Sequence, residues 1–165
     1  MKKLFSVCAM LFLAALIGCA GMKQVKQEDL TIQQVVEAPG FSKYQIYDYC
    51  KIWFAENFRW PKVVIKHDDR ENCCLIGNGI VNYPCQGLEC IAKGDWHVHF
   101  TMRIDTEDGK FRQTFSNLEV CRPARTDSDG YHHAYRGPID TQEDLDRIKP
   151  ALLEMANQIE FAIGQ

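Results

Sequence analysis

Between Trp96 and Asp105 the chain alternates without a break. Trp96, Val98, Phe100, Met102 and Ile104 are apolar, and His97, His99, Thr101, Arg103 and Asp105 stand between and after them. Successive side chains of a strand point to opposite faces, so this period of two defines a strand with one dry and one wet side. Asp108-Gly109 follows, the dipeptide of a tight hairpin, and Phe111, Phe115, Leu118 and Val120 supply the returning strand. The apolar spacing slips between Phe115 and Leu118, which places a bulge near Ser116-Asn117. A hairpin that is apolar on one side only needs a cover on that side, and helices can supply it.

The rest of the chain offers the helices and further strands. Leu30, Ile32, Val35 and Val36 form a short strand-like patch that ends at Ala38-Pro39-Gly40. Ser42 with Gln45 three residues on is a capping box, and Phe41 is placed to staple onto Ile46. Ile46, Tyr49, Cys50, Trp53 and Phe54 recur at helical steps, and Pro61 stops that helix near Phe58. Val63-Val64-Ile65 and the stretch from Cys73 to Tyr83 read as two strands divided by the turn Asp68 to Asn72. Gly77 and Gly79 inside the second mark a bulge or a close approach.

Arg122 to Ile139 shows no period and is expected to be a loop of about eighteen residues, longer than a connector needs. Thr141, with an acid at N3, opens a last helix. Its stripe is Leu145, Ile148, Leu152, Met155, Ile159 and Ile163, and Pro150 should kink or restart it. The order is β-α-β-β-β-β-α. It predicts an α+β fold of two layers, an antiparallel sheet of about five strands with both helices on one face, in a single domain over 30–165.

The N-terminus carries an address. Lys2 and Lys3 precede an apolar run from Leu4 to Ile17, about fourteen residues where a bilayer span takes roughly twenty. Residues 1–18 therefore read as a secretory signal peptide. Leu16-Ile17-Gly18-Cys19 resembles the lipobox of bacterial lipoproteins, in which the peptide is removed before the cysteine and the thiol is lipidated. Cys19 would then be the lipidation site, joined with its palmitate-type chains to the domain by a polar tether over 19–29. Gly18-Cys19-Ala20 also suits an ordinary signal peptidase, which would release the chain. Ala20 rather than Asp after the lipid site favours outer-membrane sorting, by analogy with Gram-negative lipoproteins.

Losing Lys2 and Lys3 with the signal moves the formal charge from −3 to −5. An acidic exported chain has no electrostatic footprint for nucleic acid. Its membrane contact would come from the acyl chains, of which two or more hold firmly.

Of eight cysteines, Cys8 leaves with the signal and Cys19 takes the lipid, so six remain in an oxidising compartment. An even set favours disulfides, with about fifteen full pairings open. Cys85 and Cys90 bracket Gln-Gly-Leu-Glu in a turn able to bring them within reach. Cys73 and Cys74, adjacent on an expected strand, point to opposite faces; one packs as a small apolar residue, the other pairs with Cys121 or stays free. Zinc finds no paired C-x₂₋₄-C hooks, and no metal or cofactor is assigned.

Val35-Val36 through Pro39-Gly40, Ser42-Lys43, the Tyr47 to Trp53-Phe54 helix, Gly77-Asn78-Gly79 and Asp108-Gly109-Lys110-Phe111-Arg112 resemble a family of bacterial envelope proteins known as a domain of unknown function. The resemblance covers roughly residues 30 to 120. It implies a fold similar to one repeat of the TATA-binding protein, and it implies no activity and no catalytic residue.

Polar residues on the wet strand and in the long loop are the candidates for function. His97 and His99 project side by side, and two imidazoles could hold a transition metal if His132-His133 brought a third ligand. His67, before Asp68-Asp69, reads as a turn residue. Arg122, Arg125, Tyr131, Tyr135 and Arg136 supply guanidinium and phenol groups suited to carboxylate, phosphate or sugar. No Ser/His/Asp order, phosphate-cradling glycine loop or HExxH is present. The reading is a lipid-anchored envelope module that binds an envelope protein or small ligand through His97, His99, Thr101 and Arg103, flanked by 122–139. The alternative is a small metal-dependent or hydrolytic envelope enzyme using the surface histidines.

Overall fold

The computed structural model describes residues 25–26, 30–57, 65–126 and 132–163. Along them run β1 (Ile32–Glu37), α1 (Lys43–Asn57), β2 (Ile65–Asp69), β3 (Cys74–Asn82), a one-turn α2 (Glu89–Lys93), β4 (His97–Glu107), β5 (Lys110–Thr126), β6 (His132–Pro138) and α3 (Gln142–Ile163). The expected signal peptide, Cys19, most of the expected tether and Val63-Val64 lie outside the described residues.

The alternating segment is β4, and it turns into β5 at Asp108-Gly109, where Gly109 takes a φ of 76°. Val98, Phe100, Met102 and Ile104 are buried, while His97, His99, Thr101 and Asp105 are half-buried and Arg103 is exposed. The sheet is antiparallel, with strand order β1-β5-β4-β3-β2 and β6 added to β5. β1 pairs with Lys110 to Phe115 and β6 with Glu119 to Thr126, so these two strands lie end to end along one edge of β5 while β4 occupies the other. The expected slip is present: His99 faces Glu119 but Thr101 faces Ser116, and Asn117 sits in the bulge at a φ of 51°.

Both long helices begin as their caps direct. The Ser42 N–H donates to Gln45 Oε1 at 2.9 Å and the Gln45 N–H to Ser42 Oγ at 3.4 Å. The Asp144 N–H donates to Thr141 Oγ1 at 3.2 Å. α1 buries Ile46, Tyr47, Cys50, Trp53 and Phe54. Tyr49, expected on that face, is instead exposed and takes the edge of Phe41 at 5.8 Å. Tyr47 replaces it because its hydroxyl has a partner in Asp68 on β2, so the ring can be buried without orphaning the oxygen. α3 runs unbroken through Pro150 and buries Leu145, Ile148, Leu152, Ile159 and Ile163. These side chains and those of α1 join the dry face of the sheet in one core from Leu30 to Ile163. Gly77 makes room for α1, since a Cβ there would stand 2.7 Å from the Phe54 ring.

Two expectations need correction. Much of 122–139 is strand: β5 extends to Thr126 and β6 returns beside it, so the sheet has six strands. The stretch lacks alternation because most of it reaches past the shared core, where backbone pairing holds it. Pro123 falls within the register shift between Arg122 and Arg125, where a missing N–H costs no ladder bond. The second correction concerns the cysteines. Cys85 and Cys90 are bridged, with Cα atoms 5.1 Å apart, but Cys50, Cys73, Cys74 and Cys121 are free thiols. Cys73 closes the turn at a φ of 54° rather than lying on the strand. Cys74 is paired with Asp105 and Cys121 with His97, opposite ends of β4. Eight residues of strand, about 26 Å, separate those rows, and a disulfide tolerates at most about 7 Å between Cα atoms.

Candidate functional site

The open face of the sheet carries a shallow groove of about 450 Å³ across β3, β4, β5 and β6. A hydrogen-bonded chain crosses its floor. Thr101 Oγ1 donates to Asn78 Oδ1 at 3.1 Å, and Asn117 Nδ2 donates to Thr101 Oγ1 at 3.2 Å. The β5 bulge places Asn117 for this contact, since the added residue re-aims the side chain. One wall is an ion pair across β5 and β6, in which Arg136 Nε and the terminal guanidinium nitrogen reach Glu119 Oε2 at 2.8 and 2.7 Å. His99 and Ile80 line the same space. The groove therefore offers amides, a hydroxyl, an imidazole and a neutralised charge pair. The Thr101 proton is committed to an amide oxygen rather than to a base, so the hydroxyl is not activated as a nucleophile.

His99, Thr101 and Arg136 of the sequence-predicted residues meet in this groove. His97 is one row away, facing Cys121, which in turn faces Arg136. Arg103 lies toward the hairpin and is engaged by Asp105, with Nε 2.9 Å from each carboxylate oxygen. That guanidinium holds the Asp105 carboxyl below the ordinary carboxylate range, with Arg112 adding to the pull. Burial raises the Cys74 and Cys121 thiols, and Cys50 is pushed up to about 12, so none is poised as a thiolate.

Arg122 and Tyr135 are one residue out of step with Cys121 and Arg136, and so turn to the other face. There the Arg122 guanidinium lies 4.2 Å from the Trp96 ring and 4.8 Å from the Tyr135 ring. The side chain of Arg125 and all of Tyr131 lie outside the described residues, as do the side chains of His132 and His133. Among the described residues no group of three or more His, Cys, Asp or Glu could hold a metal ion.

Asn78, Asn117 and Glu119 belong to the groove and were not among the sequence candidates. Asn117 had a signal in the broken apolar spacing, and Asn78 in its two flanking glycines. Glu119 had only its place in the alternation.

Trp96 belongs to a second cluster at the end of the sheet where β3 stops and β4 starts. Its ring meets that of Tyr83 at 5.5 Å, and Lys93 Nζ lies 4.9 and 5.0 Å from the two ring centres. The Tyr83 hydroxyl donates to Asp144 on α3. Burial and that carboxylate push the phenol up to about 12. Lys93 Nζ pairs with Glu89 at 2.8 Å, and Arg147 of α3 also binds Glu89. These contacts fasten the 83–96 excursion to α3, and the Cys85–Cys90 bridge closes it on itself.

A two-layer α+β domain whose sheet order is β1-β5-β4-β3-β2, helices on one side and the other side open, is the architecture of the TATA-binding-protein-like folds. The chain belongs to the DUF4468 family, a domain of unknown function with TBP-like fold, whose profile matches residues 33–120. The groove's Arg136 and the whole of α3 fall beyond that match.

The structure is similar to a TBP-like protein from Parabacteroides distasonis, with a TM-score of 0.61 at 14% identity over 89% of this chain and 98% of that one. It is also similar to a DUF4468 family protein from Bacteroides ovatus, with a TM-score of 0.55 at 13% identity over 86% of this chain and 91% of that one. Likeness at such identity establishes the fold alone. No curated protein matches the chain.

Proposed function

We propose that the protein is a lipid-anchored envelope lipoprotein, held through Cys19, whose domain binds another envelope component across the open face of its sheet. The observation that carries this reading is the groove itself: a polar, charge-balanced depression on a sheet face left uncovered by both long helices. Its ladder of Asn78, Thr101 and Asn117 presents preorganised donors and acceptors, the arrangement that gives a binding surface direction. The compartment is supported by Lys2-Lys3, the short apolar run and Leu16-Ile17-Gly18-Cys19. The Cys85–Cys90 bridge also suits an oxidising environment. Ala20 supports the outer membrane as the destination.

Photocrosslinking from the intact envelope tests the reading. A photoreactive residue at Thr101 or His99 of the full chain should trap one discrete partner, and the same residue at exposed Lys66 on the edge strand should not. Identical patterns from all three positions would remove the groove from consideration.

A further inference from the structure

We propose that the disulfide-stapled loop rests on the lipid surface and sets the angle at which the tethered domain stands; the inference rests on the lipid-anchored reading above. Leu88 and Ile91 are 84% and 76% exposed, the most exposed large apolar side chains among the described residues. They lie three residues apart on one helical turn, closed by the Ile91 N–H donating to the Leu88 carbonyl at 3.1 Å, and so share one side of it. The bridge at Cys85–Cys90 fixes that turn.

The charges of the loop are turned the other way. Glu89 and Lys93 pair with each other and reach back to Arg147 and Asp144 on α3. What remains at the tip is Gln86, Gly87, Leu88, Ile91 and Ala92, which carry no formal charge.

The chain's own path points to lipid as the occupant. The Val25 N–H donates to the Asp140 carbonyl at 3.2 Å, and Val25 packs against the core. Asp140 immediately precedes the cap of α3, whose Asp144 holds Tyr83 and Lys93 at the base of the stapled loop. The N-terminal segment therefore leaves the domain at the same pole as Leu88 and Ile91. Six residue steps separate Cys19 from Val25, a reach of at most about 20 Å. A lipidated Cys19 would bring the bilayer surface within range of the loop. Two aliphatic side chains bind a free protein to a membrane only weakly, but on a tethered one they favour the orientation that covers them. The tip has no basic residue to seek anionic headgroups, so the contact should be indifferent to lipid charge.

The test uses the lipidated full chain in vesicles of phosphatidylethanolamine and phosphatidylcholine with brominated acyl chains, which quench indole emission on contact. Leu88→Trp should lose most of the emission that the new indole adds, and Ile52→Trp, exposed on α1, should keep it. Adding phosphatidylglycerol should leave both unchanged. Palmitate labelling of the same preparation separates the failures. A labelled protein in which the two variants are quenched alike overturns the role of the loop and leaves the anchor standing. Quenching that appears only with phosphatidylglycerol also overturns it. A protein that takes no label and floats free of vesicles overturns both readings. A photoreactive residue at Leu88 that traps a protein in place of lipid would assign the loop to a protein partner and reject this proposal.

Discussion

The two faces of the sheet are made by the same strands, residue by residue, yet they differ in what they ask of a side chain. On the covered face Val98, Phe100, Met102 and Ile104 are packed under α1 and α3, and each is fixed by shape. On the open face Thr101, Arg103 and Asp105 are fixed by hydrogen bonds and ion pairs with their neighbours, and each keeps some access to water. Stability resides mainly on the first face, and the recognition proposed above on the second. Adjacent residues of β4 should thus respond to substitution in opposite ways.

The largest effect belongs to Phe100, whose truncation to Ala empties a site between Gly79 and the Phe115 ring. Chemical denaturation should show a loss of about 3–5 kcal/mol. Gly79→Ala attacks the same packing from the other side, because its methyl would stand 2.2 Å from the Phe100 ring. The expected loss is about 1–3 kcal/mol, with Phe100 forced to move. Thr101→Ala, one residue from Phe100, should cost only about 1 kcal/mol, because the amides of Asn78 and Asn117 remain open to water. Its signature should be loss of partner capture at near-native melting temperature.

The pH response should also separate the faces. Arg103 keeps the folded-state carboxyl of Asp105 below its ordinary range, so the ion pair contributes at neutral pH and its contribution is lost as pH falls below about 4 toward that depressed value. Asp105→Asn should flatten the acid limb of a stability-against-pH curve without altering its alkaline limb. A steeper acid limb in the variant would show that Asp105 is not stabilised by Arg103.

The smallest effect is expected where the covered face breaks its own rule. Gln113 is fully buried there, and its Oε1 has no partner; Gln34, its cross-strand neighbour, has a buried Oε1 in the same condition. Replacing Gln113 by Met removes the orphaned acceptor at similar volume and should leave the melting temperature unchanged or raise it. A clear drop would mean that the amide is satisfied in solution, for instance by a buried water.

The covered face was legible in advance because its cause is local. Strand period, helical stripe, capping box and hairpin dipeptide are written in neighbouring residues. Tyr47 was not legible: it is buried because Asp68 waits on another element to accept its hydrogen bond, and no helical periodicity contains that fact. β6 was hidden for a different reason. An edge strand beyond most of the shared core needs only backbone pairing, and Pro123 argued against a strand while sitting harmlessly in a register shift. The open face was half legible. Its members on β4 follow from alternation, but Glu119 meets Arg136 only once the returning strand has chosen its register.

The division of β5 between two partners has a consequence in time. On the edge away from β4, pairing with β1 ends at Phe115 and pairing with β6 begins at Glu119. The bulge at Asn117 lies in that interval. Opening there breaks fewer ladder bonds than opening on either side, so amide hydrogen exchange along this strand should show two slow blocks joined by a fast one. The groove's Asn117 would then breathe on a shorter clock than the sheet that carries it.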